Sequence, residues 1–259
     1  MSGSERALSR IAGLLRKAEG TDNAHEAEIF LTRAQELATR HSIDLALARA
    51  VEPPRTRATP EMRQITIGDP GARGLSTYVQ LFLAIAGPND VRVDIARNST
   101  WVIAFGMKSD IDAVLVLYAG LLPQMIHESR AYLQSPEHRQ RRANGTAKAG
   151  ITARLAFQRA FAARLGRRLA ETRDITRTAV LAAAGDPAAG PSTALVLRGK
   201  ELEVTDFYTS HTTARGTWRA PRRRRHCDAA ASLAGDEAGR RARLTEQQSL
   251  PAAARRLPS

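Results

Sequence analysis

The chain has a single cysteine, Cys227, so no intrachain disulfide is possible, and that composition suits a reducing cytoplasm. Lysine is almost as scarce. Only Lys17, Lys108, Lys148 and Lys200 occur, so the basic charge is nearly all arginine. No long apolar run is present. The longest uncharged one, Val114 to Leu122, falls well short of the roughly 20 residues that cross a bilayer, so no membrane partner is expected. Glu5, Arg6, Arg10, Arg16 and Lys17 break up the N-terminus, which excludes the apolar core of a signal peptide there. The phosphate-binding and nucleophile-elbow motifs G-x-x-x-x-G-K-[ST], G-x-G-x-x-G and G-x-S-x-G are also absent, and no cofactor is expected.

What the chain does have is a lopsided charge. Up to Leu133, 15 Lys/Arg face 15 Asp/Glu; from Gln134 on, 24 face 11, which accounts for the whole net charge of +13. High Ala, Arg and Gly together also follow from a GC-rich genome, but that does not explain a difference between halves. A neutral front joined to an arginine-rich back suggests a polyanionic partner, most simply DNA or RNA.

The first segment reads as a helical hairpin over residues 1–51. Ser2 and Glu5 have capping-box spacing, and Leu8, Ile11, Leu15 and Ala18 recur on one helical face. Gly20 to Asn23 breaks the pattern, and Asn23 with Glu26 can start a second helix carrying Ala27, Phe30, Ala34, Leu37 and Ala38. Residues 42–51 begin a third short helix or end the second. The stretch Leu14 to Asp44 resembles the N-terminal module of a bacterial and phage family catalogued as domain of unknown function 2786. The resemblance rests on Leu14-Leu15, Ala18, Thr21, Glu26-Ala27, Ala34-Gln35, Leu37, His41 and Ile43-Asp44, with Ala38 where a methionine is common in the family. It implies no activity and no catalytic or ligand residues.

Pro53-Pro54 marks a linker, and an α+β domain is expected over 62–213. Its elements are a short strand near Gln64–Ile67, a helix capped by Ser76, and a β-hairpin turning at Arg97-Asn98-Ser99. A long helix from Asp110 to about Leu133 follows, started by Ser109 with Asp112 and kinked at Pro123. Residues 134–150 read as a polar loop, 148–182 as a second long helix, 194–197 as a strand and the surroundings of Val204, Phe207 and Tyr208 as a short helix. Residues 214–259 read as an Arg/Ala-rich disordered tail. The fold class is therefore α+β, mostly helical.

Two arginine sets are the candidate nucleic-acid contacts. The first runs along the second long helix: Arg159, Arg164, Arg167, Arg168 and Arg173, with Arg154 and Arg177 beside them. The second is in the tail: Arg215, Trp218 and Arg219, then Arg222, Arg223, Arg224 and Arg225, where an aromatic that can stack on a base sits among guanidiniums that hold phosphates. The leading expectation is a non-enzymatic protein that binds nucleic acid without sequence preference. One alternative is a protein-interaction module using the hairpin face at Phe30 and Leu37. Another is an enzyme, perhaps a hydrolase, whose polar groups converge only in three dimensions. Metal binding has little support: His127-Glu128 begins H-E-x-x-H, but Ala131 stands at the second histidine position.

Overall fold

The computed structural model describes residues 3–20, 24–53, 55–148, 150–184, 192–214, 216, 218, 228–242 and 254–256. Two antiparallel helices open the chain, α1 (Gly3–Gly20) and α2 (Ala24–Ala50). Ala7, Ile11 and Leu15 recur every fourth residue on α1, and Leu31, Ala34 and Ala38 line the facing stripe of α2, so each helix has one buried face. Residues 42–50 continue α2 without a break.

A small sheet follows: β1 (Glu61–Thr66), β2 (Arg92–Ile95) and β3 (Trp101–Gly106), antiparallel in the order β2–β3–β1, with a short β4 (Ala254–Arg256) on the outer edge of β1. The β2–β3 turn falls at the expected Arg97-Asn98-Ser99. Ser99 takes a positive φ of 62°, and Asn98 Oδ1 accepts from the Thr100 amide at 3.2 Å. Helix α3 (Leu75–Ala86) lies between β1 and β2 in sequence. It begins from Gly74 at φ 98°, so the expected Ser76 cap is replaced by a left-handed glycine two residues earlier.

Helix α4 (Lys108–Gln134) is long and apolar enough to cross a bilayer, yet Ile111, Val114, Leu117, Tyr118, Leu121 and Met125 are buried among α1, α3 and α6. It runs through Pro123 as one helix and starts from extended Met107 with no side-chain cap, where Ser109 was expected to cap it. The expected loop at 134–150 contains a helix, α5 (Pro136–Ala143), whose first turn is set by Ser135 accepting from the His138 amide. Helix α6 (Gly150–Ala183) packs on α8, α3, α2 and α4 and is the central element.

The expected strand at 194–197 is instead the first turn of α7 (Thr193–His211), which also absorbs the short helix expected around Val204. Leu197, Lys200 and Val204 are buried at helical spacing, a period that four apolar residues alone do not reveal. Within the stretch read as tail, α8 (Ala229–Arg240) is capped by Asp228 and docked on α6. Its small residues allow that approach: a Cβ on Gly235 would lie 2.1 Å from the Phe157 carbonyl oxygen, and one on Gly239 would lie 2.8 Å from that of Phe161.

One apolar core runs through α1, α2, the sheet, α3, α4, α6 and α8. Hairpin and body therefore share their interior. A smaller cluster, Ile43, Ala46 and Leu197 with Val180 and Leu181 beside it, seats α7.

Candidate functional site

Helix α7 is held to the molecule by charge as well as by Leu197 and the ring contacts of Phe207 and Tyr208 with Phe105. Lys200 is buried at its middle, and its Nζ lies 2.6 Å from Ser42 Oγ on α2, 2.7 Å from Asp110 Oδ2 in the first turn of α4 and 3.2 Å from Asp90 Oδ2. Asp90 follows a 3₁₀ turn, Gly87–Asn89, and has a positive φ of 57°, an uncommon conformation for aspartate. It also accepts from Arg173 at 2.7 Å. Glu201 receives Arg177 at 2.5 Å, and Glu203 pairs with Arg49 of α2.

Burial works against the Lys200 charge, but Asp110 and Asp90 outweigh it and hold the ammonium above its usual range. Burial also pushes the Asp110 carboxyl up, and Lys200 offsets this only in part. At Asp90 burial pushes in the same direction, yet Lys200 and Arg173 prevail and keep the carboxyl below its usual range. A lysine held charged cannot take a proton from Ser42. The 2.6 Å contact is thus a charge-assisted hydrogen bond from ammonium to hydroxyl, not a serine–lysine nucleophile pair.

The second gathering of charge is a groove of about 620 Å³ on the outer side of the hairpin, between α1 and α2. Arg10, Arg16, Lys17, Arg33 and Arg40 wall it, Gly13, Leu14 and Leu37 form its floor, and Glu36 is the one acid among the lining residues. Glu36 takes Arg33 at 2.5 Å and Arg40 at 3.1 Å, and those arginines, after the opposing effect of burial, hold its carboxyl below the usual range. Arg10, Arg16 and Lys17 are exposed and have no acid partner among the described residues.

The hairpin reaches the body through polar as well as apolar groups. Gln35, fully buried, donates to Asn89 Oδ1 at 3.2 Å, and Asn89 donates to the Ile85 carbonyl at 2.8 Å. His41 Nε2 lies 3.2 Å from Ser4 Oγ across the two helices. Residues 6–45 match the model of a protein family of unknown function, DUF2786. Within the DUF2786 segment, Gln35, Ser42 and Glu28 make polar contacts with the body, Glu28 lying 3.7 Å from Arg168, while the cationic groove is lined by α1 and α2 alone. No curated protein and no solved structure matches the chain.

Four of the seven arginines singled out on α6 face protein acids or carbonyls. Arg167 pairs with Asp236 at 2.8 Å, Arg168 donates to the Gly239 carbonyl at 3.0 Å, and Arg173 and Arg177 reach Asp90 and Glu201. Arg159 is half-buried and engaged with neighbours, and Arg154 and Arg164 are half-buried beside them. Trp218 packs, half-buried, against the core. Arg215, Arg219 and Arg222 to Arg225 lie outside the described residues, as does Cys227. His127 is exposed, and it belongs to no group of three or more potential metal ligands among the described residues. Phe30 and Leu37 are half-buried; the fully buried stripe of α2 is Leu31, Ala34, Gln35 and Ala38, seated against the body.

Sequence reading missed both gatherings. The Lys200 cluster draws on α2, the turn at Asp90, α4, α6 and α7, and no spacing rule connects those segments. The groove was open to discovery: Arg10, Arg16 and Lys17 fall off the apolar stripe of α1 at helical spacing, as Arg33 and Arg40 do on α2. A zero net charge over the front half concealed this local surplus.

Proposed function

We propose that this protein binds nucleic acid without sequence preference, and that the groove between α1 and α2 is its contact surface. The observation that carries the reading is a mismatch in pairing. Arg167, Arg168, Arg173 and Arg177 on α6 meet acids or carbonyls of the chain itself, whereas Arg10, Arg16 and Lys17 stand exposed on one groove with no acid partner among the described residues. Unpaired cations along a groove attract a phosphate backbone and gain from release of its counterions. The floor of Gly13, Leu14 and Leu37 offers sugars and base edges apolar contact but no hydrogen bonds that would read a base. The Arg222–Arg225 run adds charge of the same sign.

Fluorescence anisotropy on duplex DNA and single-stranded RNA across a salt titration tests this. The three groove cations with no acid partner among the described residues give a log–log salt slope of about −2.7 on duplex. Arg10→Gln/Arg16→Gln/Lys17→Gln should remove most of that slope, on the same counterion arithmetic. Glutamine at Arg222 to Arg225 tests the tail while leaving α8 in place, which a truncation at residue 219 would not. No binding at low salt, or a slope near zero, defeats the proposal. An unchanged slope in the triple variant removes the groove from it.

A further inference from the structure

Both helices of the hairpin lay the same spacing along the groove between them. On α1, Arg10 and Lys17 stand seven residues apart with Gly13 and Leu14 in between. On α2, Arg33 and Arg40 do the same around Glu36 and Leu37. Seven residues of helix span about 10 Å. Each wall therefore has a cation at either end, and an apolar floor lies between the two walls. Gly13 deepens that floor: a Cβ there would meet only the Arg16 guanidinium, at 3.6 Å.

Two widths decide which form of nucleic acid can use the floor. A pair of helices packed side by side presents a face about 20 Å across. The major groove of a duplex is about 12 Å wide and the minor groove about 6 Å. The hairpin face is too broad to enter either, so a duplex can only lie across the rims and leaves Gly13, Leu14 and Leu37 untouched. A phosphate does not suit the floor. The surface there is apolar, and beside it stands the Glu36 carboxylate, bridged by Arg33 at 2.5 Å and Arg40 at 3.1 Å. Bases do suit it. The groove's volume of about 620 Å³ lies within the range of pockets that bury a small organic ligand, about 300–1,000 Å³.

Building on the nucleic-acid reading of this groove, we infer that it takes a single strand rather than a duplex, with phosphates on the rims and bases on the floor. The bases of a single strand are free to turn away from their backbone, and guanidinium planes along the rims give them faces to stack on. Every base has such a face, so the contact tolerates any sequence.

Three labelled probes of equal length test this by fluorescence anisotropy of the full-length protein at low and at moderate salt. They are oligo(dT), a mixed-sequence duplex, and an abasic strand that keeps the sugar-phosphate backbone and carries no bases. Oligo(dT) should bind at least about tenfold more tightly than either of the others, the gain expected from seating about one or two bases. Gly13→Gln covers the floor with a neutral side chain, keeps every cation and suits the middle of a helix better than glycine does. It should shrink the preference to about threefold or less. A duplex bound as tightly as oligo(dT) overturns the single-strand assignment while leaving phosphate binding in the groove intact. An abasic strand bound as tightly, or a preference that Gly13→Gln leaves unchanged, takes the bases off the floor and overturns it too. No binding of any probe at low salt defeats the nucleic-acid reading itself, and the single-strand assignment falls with it.

Discussion

Lys200 is one of four lysines in a chain that otherwise uses arginine, and it is the one that is buried. A single small ammonium can face Ser42, Asp90 and Asp110 at once, where a planar guanidinium would need room for a fork. Lys200→Met keeps the aliphatic stem and deletes the charge, leaving Asp110 buried beside Asp90. Breaking a buried pair this way costs about 3–5 kcal/mol. The denaturation midpoint at pH 7 should fall accordingly, and Lys200→Met/Asp110→Asn should recover much of the loss by removing the stranded charge as well. The pH trend has a definite sign. A carboxyl whose folded pKa is raised, as Asp110's is, adds stability below its unfolded pKa and loses it as pH rises through the folded one. Lys200→Met raises that pKa further, so the variant should gain stability relative to wild type as pH is lowered from 7. A loss that is flat with pH would place the damage in packing instead.

At the level of elements, the sequence made the long helices and the β-hairpin readable because their signals are local: apolar stripes on α1, α2, α4 and α6, strict alternation in Val91–Ile95, a short β-branched and aromatic apolar run in Trp101–Phe105, and a polar turn between. It misled wherever a tertiary contact decides. Ala194 to Leu197 has strand composition, and α7 forms there because Leu197 and Lys200 are needed one turn apart on α2, α4 and the Asp90 turn. Residues 229–240 have tail composition, and α8 forms because alanine and glycine let it lie against α6. Asp110 was correctly placed in a first turn, but its burial against a lysine 90 positions later leaves no trace in sequence spacing. The α8 account is testable. Gly235→Ala places a methyl 2.1 Å from the Phe157 carbonyl oxygen, backbone that cannot swing away, so α8 must shift or detach. Amide exchange of residues 229–240 should accelerate while that of α3 and α4 holds. Gly199→Ala on α7 is the control, since its Cβ meets nothing within 4 Å. Protection of α8 unchanged in Gly235→Ala would mean that the close approach does not hold the helix.

At the scale of the whole molecule, the question is whether the DUF2786 segment is a module attached to a body or part of one folding unit. Two helices of this length bury little by themselves and are marginal alone in water. Here Ile11, Leu15, Leu31, Ala34 and Ala38 are buried in the same core as Phe82, Leu117 and Phe161, and the buried hydrogen bond between Gln35 and Asn89 forms only when hairpin and body are together. Separation would expose that apolar surface at about 25 cal/mol per Å² and remove the Ser42 hydroxyl from Lys200. The hairpin and body should therefore unfold together, with amides of α1 and α4 showing one free energy of opening and one denaturant dependence in native-state exchange. Leu31→Ala, at a fully buried α2 position, should lower both by the same amount, about 2–5 kcal/mol, although it touches only one of them in sequence. A hairpin that opens at low cost with α4 still protected would show instead that the segment is a separable module. The cationic groove would then ride on a detachable arm, and binding affinity would track the stability of the hairpin alone.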